Sequence, residues 1–409
     1  MVLLTPFEET GAATSAAAEV AFYDALATDT GRISRWNMGL TSTGGTMWLV
    51  CVGVNPPTNP EPAESLLLIA KQHGNETATR EVAIQSIRDF AYLSDPDDVD
   101  YLTDHPVYII PTVNYRATAN NENNVNLNRD HVILSQPETK MVHDVLNLVD
   151  PVMAIDLHEN MSRSSPNAEL MYSSHDSLTE TIQARSQALV TAVGTHLTLA
   201  GISWGYYTVS AEDPSTSRNA LGYRHIVTML SETMGTVAIA NRVSYGVEIV
   251  RAARNYHLAN HAAIVADVAA SRAEALATAA DRGNSFTFDQ TAVRYPLPEG
   301  YIVSAADYVT WQPIMDRLGI TSVADGSDRY VTMVQEAYGL AALLMDPLSP
   351  YGGFDGTVDD DPPYVPPGGI TWGNATTWGP IRLESTEHEV TSVALQVDGE
   401  LRTIWTPTP

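Results

Sequence analysis

The chain has 409 residues, more than one compact core accommodates, so a large domain with a smaller appendage is expected. Its 22 basic and 49 acidic residues leave a formal net charge of −27, a field that repels phosphate backbones and anionic bilayers and argues against nucleic-acid and membrane partners. A single cysteine, Cys51, excludes an intramolecular disulfide framework and any multi-cysteine zinc cluster.

Short, apolar, β-branched runs predict strands over 47–54, 65–70, 106–110, 152–157 and 225–230. Apolar residues at three- and four-residue spacing predict helices over 76–93 and 136–148, with Pro137 acceptable in a first helical turn, and longer alanine-rich segments predict helices over 177–199 and 245–280. Buried strands alternating with helices indicate an α/β sheet covered on both faces. The composition changes after Gly283. A main domain is expected over 1–285, and a helical and extended extension packing on it over 286–347. A Pro/Gly-rich linker with a small β-rich segment, through which assembly partners would bind, is expected over 348–409. Asp398-Gly399 is a hairpin signal within that segment. No apolar stretch reaches the ~18 residues of a membrane span, and the first residues lack the features of a signal peptide. A soluble chain, cytoplasmic or virion-associated rather than secreted, is therefore expected.

The polar residues that follow the strands carry the chemistry. His73 and Glu76 stand two residues apart where the run 65–70 gives way to a helix, so an imidazole and a carboxylate can converge on one point. His158 ends the run 152–157, and ligands of α/β sheets gather beyond the carboxyl ends of the strands. Two imidazoles and a carboxylate are ligands that zinc accepts, with a position left open for water. Between them lies an asparagine-rich stretch that includes Asn114-Tyr115-Arg116 and Asn126-Leu127-Asn128-Arg129; most of these asparagines read as turn residues. The Asn128-Arg129 pair can clamp a carboxylate, because a guanidinium makes paired, charge-assisted hydrogen bonds to it. Glu232, after the run 225–230, suits a general base beside a metal-bound water. His143 is expected on a helix surface. His257 and His261 share a helix face at a spacing that can bind metal, but no acidic partner on that helix accompanies them, and no site is expected there.

The ordered set Gln72-His73-Gly74-Asn75-Glu76, Asn126-Leu-Asn-Arg-Asp-His131, Asp156-Leu-His-Glu159 and Glu232-Thr-Met-Gly235 resembles the zinc metallocarboxypeptidase family of carboxypeptidase A type, in its bacterial-type members. The resemblance covers roughly residues 40–280. It implies an α/β fold with a mixed, mostly parallel twisted sheet and helices on both faces. It also implies one zinc ion per chain, held by His73, Glu76 and His158. By the same resemblance Asn128 and Arg129 hold the substrate's terminal carboxylate, Glu232 is the general base, and Arg116 polarises the scissile carbonyl. The family's mobile tyrosine falls on Tyr206, Tyr207 or Tyr223, with Tyr207 preferred. Ser217-Arg218-Asn219 is similar to a subfamily motif near the substrate, so Arg218 would read the substrate side chain, the alternative being a helix-surface salt bridge. The family usually has aspartate where this chain has Asn126. The implied activity is removal of a C-terminal residue from a peptide with a free carboxylate. Alternatives are a cell-wall peptide hydrolase or an N-acyl amino acid deacylase on the same site, or, in another class, a structural or host-binding module such as a phage tail component.

Overall fold

A computed structural model of the chain describes residues 2–207, 212–289, 291–354, 356–359, 378–386, 389–397 and 400–405, the last three segments for their backbone alone. They fall into two units, Met1–Asp360 and Asp361–Pro409.

In the first unit eight strands make one sheet: β1 (Ile33–Leu40), β2 (Thr46–Val52), β3 (Leu66–Ala70), β4 (Val107–Ile110), β5 (Met153–Asn160), β6 (Ala168–Tyr172), β7 (Trp204–Tyr206) and β8 (Val227–Met234). Their order is β1-β2-β4-β3-β5-β8-β6-β7. Four of the seven pairings are parallel, those of β3 with β4 and β5, β5 with β8, and β6 with β7. The pairs β1–β2, β2–β4 and β6–β8 are antiparallel. The sheet is therefore mixed, with a parallel centre.

Helices α1 (Pro6–Thr10), α2 (Ala16–Thr30), α3 (Thr77–Ala91), α4 (Pro96–Asp104), α5 (Pro137–Val149), α6 (Glu180–Leu199), α7 (Ser217–Gly222) and α8 (Ile239–Ala280) cover it. Alternation along the strands sorts the two faces. Leu66, Leu68, Ile155, Leu157, Val227 and Met229 pack with residues of α2, α3, α6 and α8. Leu67, Ile69, Tyr108 and Ala154 pack with Met141, Val142 and Val145 of α5. Full burial of such a side chain is worth about 1.5–3 kcal/mol, so both layers are held firmly.

Two strands run further than their apolar residues suggest. The register of β5 on β8 continues through His158 opposite Glu232 to Asn160 opposite Met234. His158 and Glu232 thus lie within their strands, because backbone pairing carries the ladder through polar residues.

Beyond α8 come β9 (Phe286–Thr287), β10 (Val293–Arg294), β11 (Gly300–Val303), α9 (Ala305–Leu318), β12 (Val323–Asp325), β13 (Asp328–Thr332), α10 (Tyr338–Met345) and β14 (Thr357–Asp359). Their core joins Phe286, Tyr301, Val331 and Leu340 to Leu134, Tyr223 and Ala275. Helix α9 lies on α5. His143 of α5 is consequently buried, not on the surface as expected, and its Nε2 is 3.3 Å from His131 Nδ1.

The second unit contains β15 (Trp378–Thr386), β16 (Glu389–Val397) and β17 (Glu400–Trp405), antiparallel in that order. The hairpin signal Asp398-Gly399 and residues 360–377 lie outside the described residues. Among the described residues no helix is long and apolar enough to cross a membrane.

Candidate metal centre

The turn after β3 is shaped by Lys71, which adopts a left-handed φ of 59°. Its ammonium donates to the carbonyls of Gly74 (2.6 Å), Asn114 (2.7 Å) and Arg116 (3.2 Å). Burial, helped by Arg80, brings its pKa down to about 8. A Cβ on Gly74 would fall 2.1 Å from the Arg116 carbonyl oxygen, so only glycine lets the loop lie this close. This packing carries His73 and Glu76 beyond the carboxyl end of β3, toward His158 of β5.

The three side chains converge. His73 Nδ1 is 2.6 Å from Glu76 Oε1, and His158 Nδ1 is 3.0 Å from Glu76 Oε2. The two rings meet edge to face with centroids 4.9 Å apart. One donor atom from each residue lies within 4.8 Å of the others. The far side of each ring is committed to an acceptor: His73 Nε2 to Asn126 Oδ1 at 3.0 Å, and His158 Nε2 to Asp156 Oδ2 at 2.9 Å. Asn126 Oδ1 also accepts from the Asn128 amide, which fixes the side chain with its oxygen toward His73. Asp156 Oδ2 is further bonded by Gln72 Nε2 (2.8 Å) and by Ser217 Oγ. Behind it, His131 Nε2 donates to Gln72 Oε1 at 2.8 Å, and burial holds His131 neutral, its pKa down to about 4.

This arrangement tests whether a metal fits. With each Nε2 carrying the hydrogen, both Nδ1 lone pairs face carboxylate oxygens, an arrangement that needs a positive charge between them. His158 Nδ1 and Glu76 Oε2 are buried and make no hydrogen bond. In the bare protein a proton supplies part of that charge. Burial disfavours the His158 imidazolium, but Asp156 and then Glu76 outweigh it and lift its pKa well above the ordinary value. Burial likewise raises Glu76, and the two histidines outweigh it and lower it. Two imidazoles, one carboxylate and outer acceptors on both rings fit a divalent ion of zinc type. Replacing Asn126 by aspartate puts a full charge on one outer acceptor. Zinc is then expected to bind at least ~10-fold tighter in a chelator competition, and equal affinity would show that this oxygen only orients the ring.

Glu232 faces the cluster. In register it lies between His158 of β5 and Glu169 of β6, so the three side chains share one sheet face. Its Oε2 is buried without a hydrogen bond. Burial, then Glu76, Asp156 and Glu169, push its pKa up to about 8 against the opposing pull of His158. A carboxyl so placed can accept and return a proton near neutral pH.

The remaining expected residues sit as follows. Asn128 Oδ1 accepts from the Ser217 amide at 2.8 Å, and its Nδ2 lies 3.4 Å from His158 Nε2. Arg129 donates from Nη1 to the Asn128 carbonyl and pairs through Nε with Asp213 at 2.8 Å. Arg116 turns into the asparagine-rich loop, bonded to the Asn121 carbonyl at 2.8 Å and paired with Glu122 at 3.2 Å. Arg218 is fully buried, donating to Tyr172 O, Ser174 Oγ and Asn219 Oδ1, which rules out a helix-surface salt bridge. Among the three tyrosines, Tyr223 is buried with its hydroxyl 2.7 Å from His175 Nδ1, and Tyr206 is exposed. Tyr207 is half-buried, and burial followed by the charges of Glu232 and Glu169 raises its phenol. Arg163, which pairs with Glu169 and lies 5.7 Å from the Tyr207 ring centre, joins this rim without having been expected. Asp156 was also missed as an acceptor, although its position two residues before His158 puts both on one strand face.

Residues 19–198 match the model of the zinc carboxypeptidase family Peptidase_M14. Among solved structures, the chain is similar to a metallo-carboxypeptidase from Burkholderia cenocepacia (18% identity, 61% of this chain and 70% of that one, TM-score 0.51). It is also similar to a metallo-carboxypeptidase from Pseudomonas aeruginosa in complex with (2-guanidinoethylmercapto)succinic acid (14% identity, 62% of this chain and 70% of that one, TM-score 0.50). Likeness at such identities speaks for the fold. No curated protein matches the sequence.

Proposed function

We propose that the chain, which matches the zinc carboxypeptidase family model over residues 19–198 and is carboxypeptidase-like in fold, is a zinc-dependent carboxypeptidase that removes the last residue of a peptide. The observation that carries this reading is the His73–Glu76–His158 donor set with Glu232 beside it on the adjoining strand. His73, Glu76 and His158 would hold the ion, which when bound lowers the pKa of water and polarises a carbonyl. Glu232 takes a proton from the attacking water and passes it to the leaving amine, a transfer its position and raised pKa both suit. Asn126 and Asp156 keep the two imidazoles in the tautomer that leaves Nδ1 available. Arg129, 39% exposed at the rim, meets the substrate's terminal carboxylate, with the neighbouring Asn128 amide assisting. Arg116 would supply positive charge to the scissile carbonyl once it exchanges Glu122 for substrate, and Tyr207 and Arg218 would shape the side-chain pocket.

Terminal-carboxylate recognition is tested by mass spectrometry of peptide pairs that differ only in a free or an amidated C-terminus, incubated with protein and zinc. Loss of one residue from the free acids alone is expected, and cleavage of both members equally would overturn the proposal. Including cross-linked wall peptides and N-acyl amino acids separates the substrates that share such a carboxylate. Arg129→Gln should raise KM by ~10–100-fold, the worth of one charge-assisted hydrogen-bond pair, with a smaller effect on kcat. An unchanged KM would remove Arg129 from the substrate site.

A further inference from the structure

At the other end of the sheet, three histidines that sequence spacing alone does not bring together form a second cluster. We propose that His105, His257 and His261, with the Glu64 carboxylate, bind a first-row transition metal such as zinc, separate from the His73–Glu76–His158 centre.

The topology makes the meeting. Glu64 stands just before β3, and His105 caps α4 just before β4. Those strands are parallel neighbours, with Leu66 opposite Val107, so both residues lie at the amino edge of the sheet. His73 and His158 lie at the carboxyl edge. His257 and His261, one turn apart on α8, face His105: ring centroids are 5.9 Å apart for His105–His257, 5.2 Å for His257–His261 and 3.7 Å for His105–His261.

Poorly partnered nitrogens point to a ligand. His105 Nδ1, His257 Nε2 and His261 Nε2 are all buried without a well-formed hydrogen bond; Glu64 is the neighbour of the last two, its backbone carbonyl facing His257 and its carboxylate His261. A buried polar atom left without a good partner costs about 1–3 kcal/mol, so His105 Nδ1, which has none, and two nitrogens served only by Glu64 leave room for an ion that takes their lone pairs. His257, fully buried, is aimed by the Tyr101 hydroxyl, which lies 2.8 Å from its Nδ1. When Nδ1–H donates to that oxygen, Nε2 presents a lone pair, the state of a metal-ligating imidazole with an outer acceptor. Glu64 Oε2 lies 3.3 Å from His261 Nε2, and the Glu64 backbone oxygen faces His257. Glu64 holds a left-handed φ of 46°, a conformation that costs a residue with a side chain free energy unless its neighbours require it.

Three imidazoles on one ion at ~2.0–2.1 Å set ring centres roughly 5 Å apart. Two of the three separations already match, and the His105–His261 pair must open by about 1–1.5 Å. Among the described residues only the first triad has its donors within 4.8 Å of one another, so binding here closes a looser set. Glu64 and His105 lie outside helices and strands, and both line a cleft of about 870 Å³ that opens the His105 end of the cluster to solvent. Three imidazoles and one carboxylate favour zinc, copper or nickel over calcium or magnesium. The bound ion would tie α8 to the loops before β3 and β4.

The test uses the full chain with His73→Ala, which disables the first centre. Protein stripped of metal, reloaded with zinc and desalted is assayed by atomic emission. About one zinc per chain is expected, falling to none when His261→Gln is added, and Glu64→Gln should weaken binding by ~10-fold or more. Zinc should also raise the melting temperature of the His73→Ala protein and leave that of the double variant unmoved. No zinc in the His73→Ala protein, or zinc retained despite His261→Gln, would overturn the proposal. Metal-free melting curves check that the double variant folds, and His105→Asn takes the place of His261→Gln if it does not. A His73→Ala protein that keeps as much zinc as the parent would instead refute the first centre while leaving this one standing.

Discussion

Glu232→Gln is expected to lose ~10²–10⁴-fold in kcat while binding zinc as tightly as the parent chain, because glutamine keeps the shape of the side chain and cannot take a proton. Zinc content and turnover measured on the same preparation check this, and turnover within ~3-fold of the parent would remove Glu232 from the role of base. The same substitution has a second signature in metal-free protein. The folded chain lifts the Glu232 pKa from 4.5 to about 8, so between those values the folded state keeps a proton that the unfolded state has released. Stability from this group therefore falls as pH rises through that window and levels off above it. Glutamine escapes the loss. The variant should melt at the same temperature as the parent near pH 5 and a few degrees higher at pH 8. Saturating zinc should narrow the gap, since a nearby dication favours the carboxylate. Equal melting at both pH values would mean that Glu232 titrates like an exposed glutamate.

The second large effect separates the two histidines. Both His73→Ala and His158→Ala should weaken zinc binding by more than the ~100-fold that loss of an outer acceptor can cost. They differ in stability. His73 is partly exposed and its outer partner is a neutral amide. His158 is buried against Asp156, which is itself fully buried and held below its ordinary pKa: burial raises it, and His158, Ser217 and Gln72 outweigh that. Removing His158 strands the buried Asp156 carboxylate, a change worth about 3–5 kcal/mol in comparable pairs, whereas His73→Ala leaves the buried Glu76 its stronger partner, His158, and should cost less in the metal-free state. Urea unfolding of both metal-free variants decides between them. Equal stabilities would show that Asp156 does not depend on His158.

Much of this was legible before the fold. Short apolar, β-branched runs put strands before His73, His158 and Glu232, and the order of these residues resembled a known family. What the sequence hid was long-range. The third ring at His105 lies 152 residues before His257, at a helix end with no periodic signal of its own, so the His257–His261 pair looked partnerless. His143 read as a surface residue because the helix that covers it, α9, comes more than 160 residues later in the chain. Arg116 and Arg218 show another limit, since residue type and spacing do not say which carbonyls or carboxylates a guanidinium meets. Here Arg116 meets Glu122, and Arg218 meets the backbone of Tyr172.

Diffraction from zinc-soaked crystals, recorded on either side of the zinc absorption edge, tests the central assignment most directly. The expected result is an anomalous peak about 2.0–2.2 Å from the Nδ1 atoms of His73 and His158 and from the Glu76 carboxylate, with Glu232 beside it but not bound. Crystals whose anomalous maps are empty between those three side chains, while zinc is present elsewhere in the molecule, would contradict it.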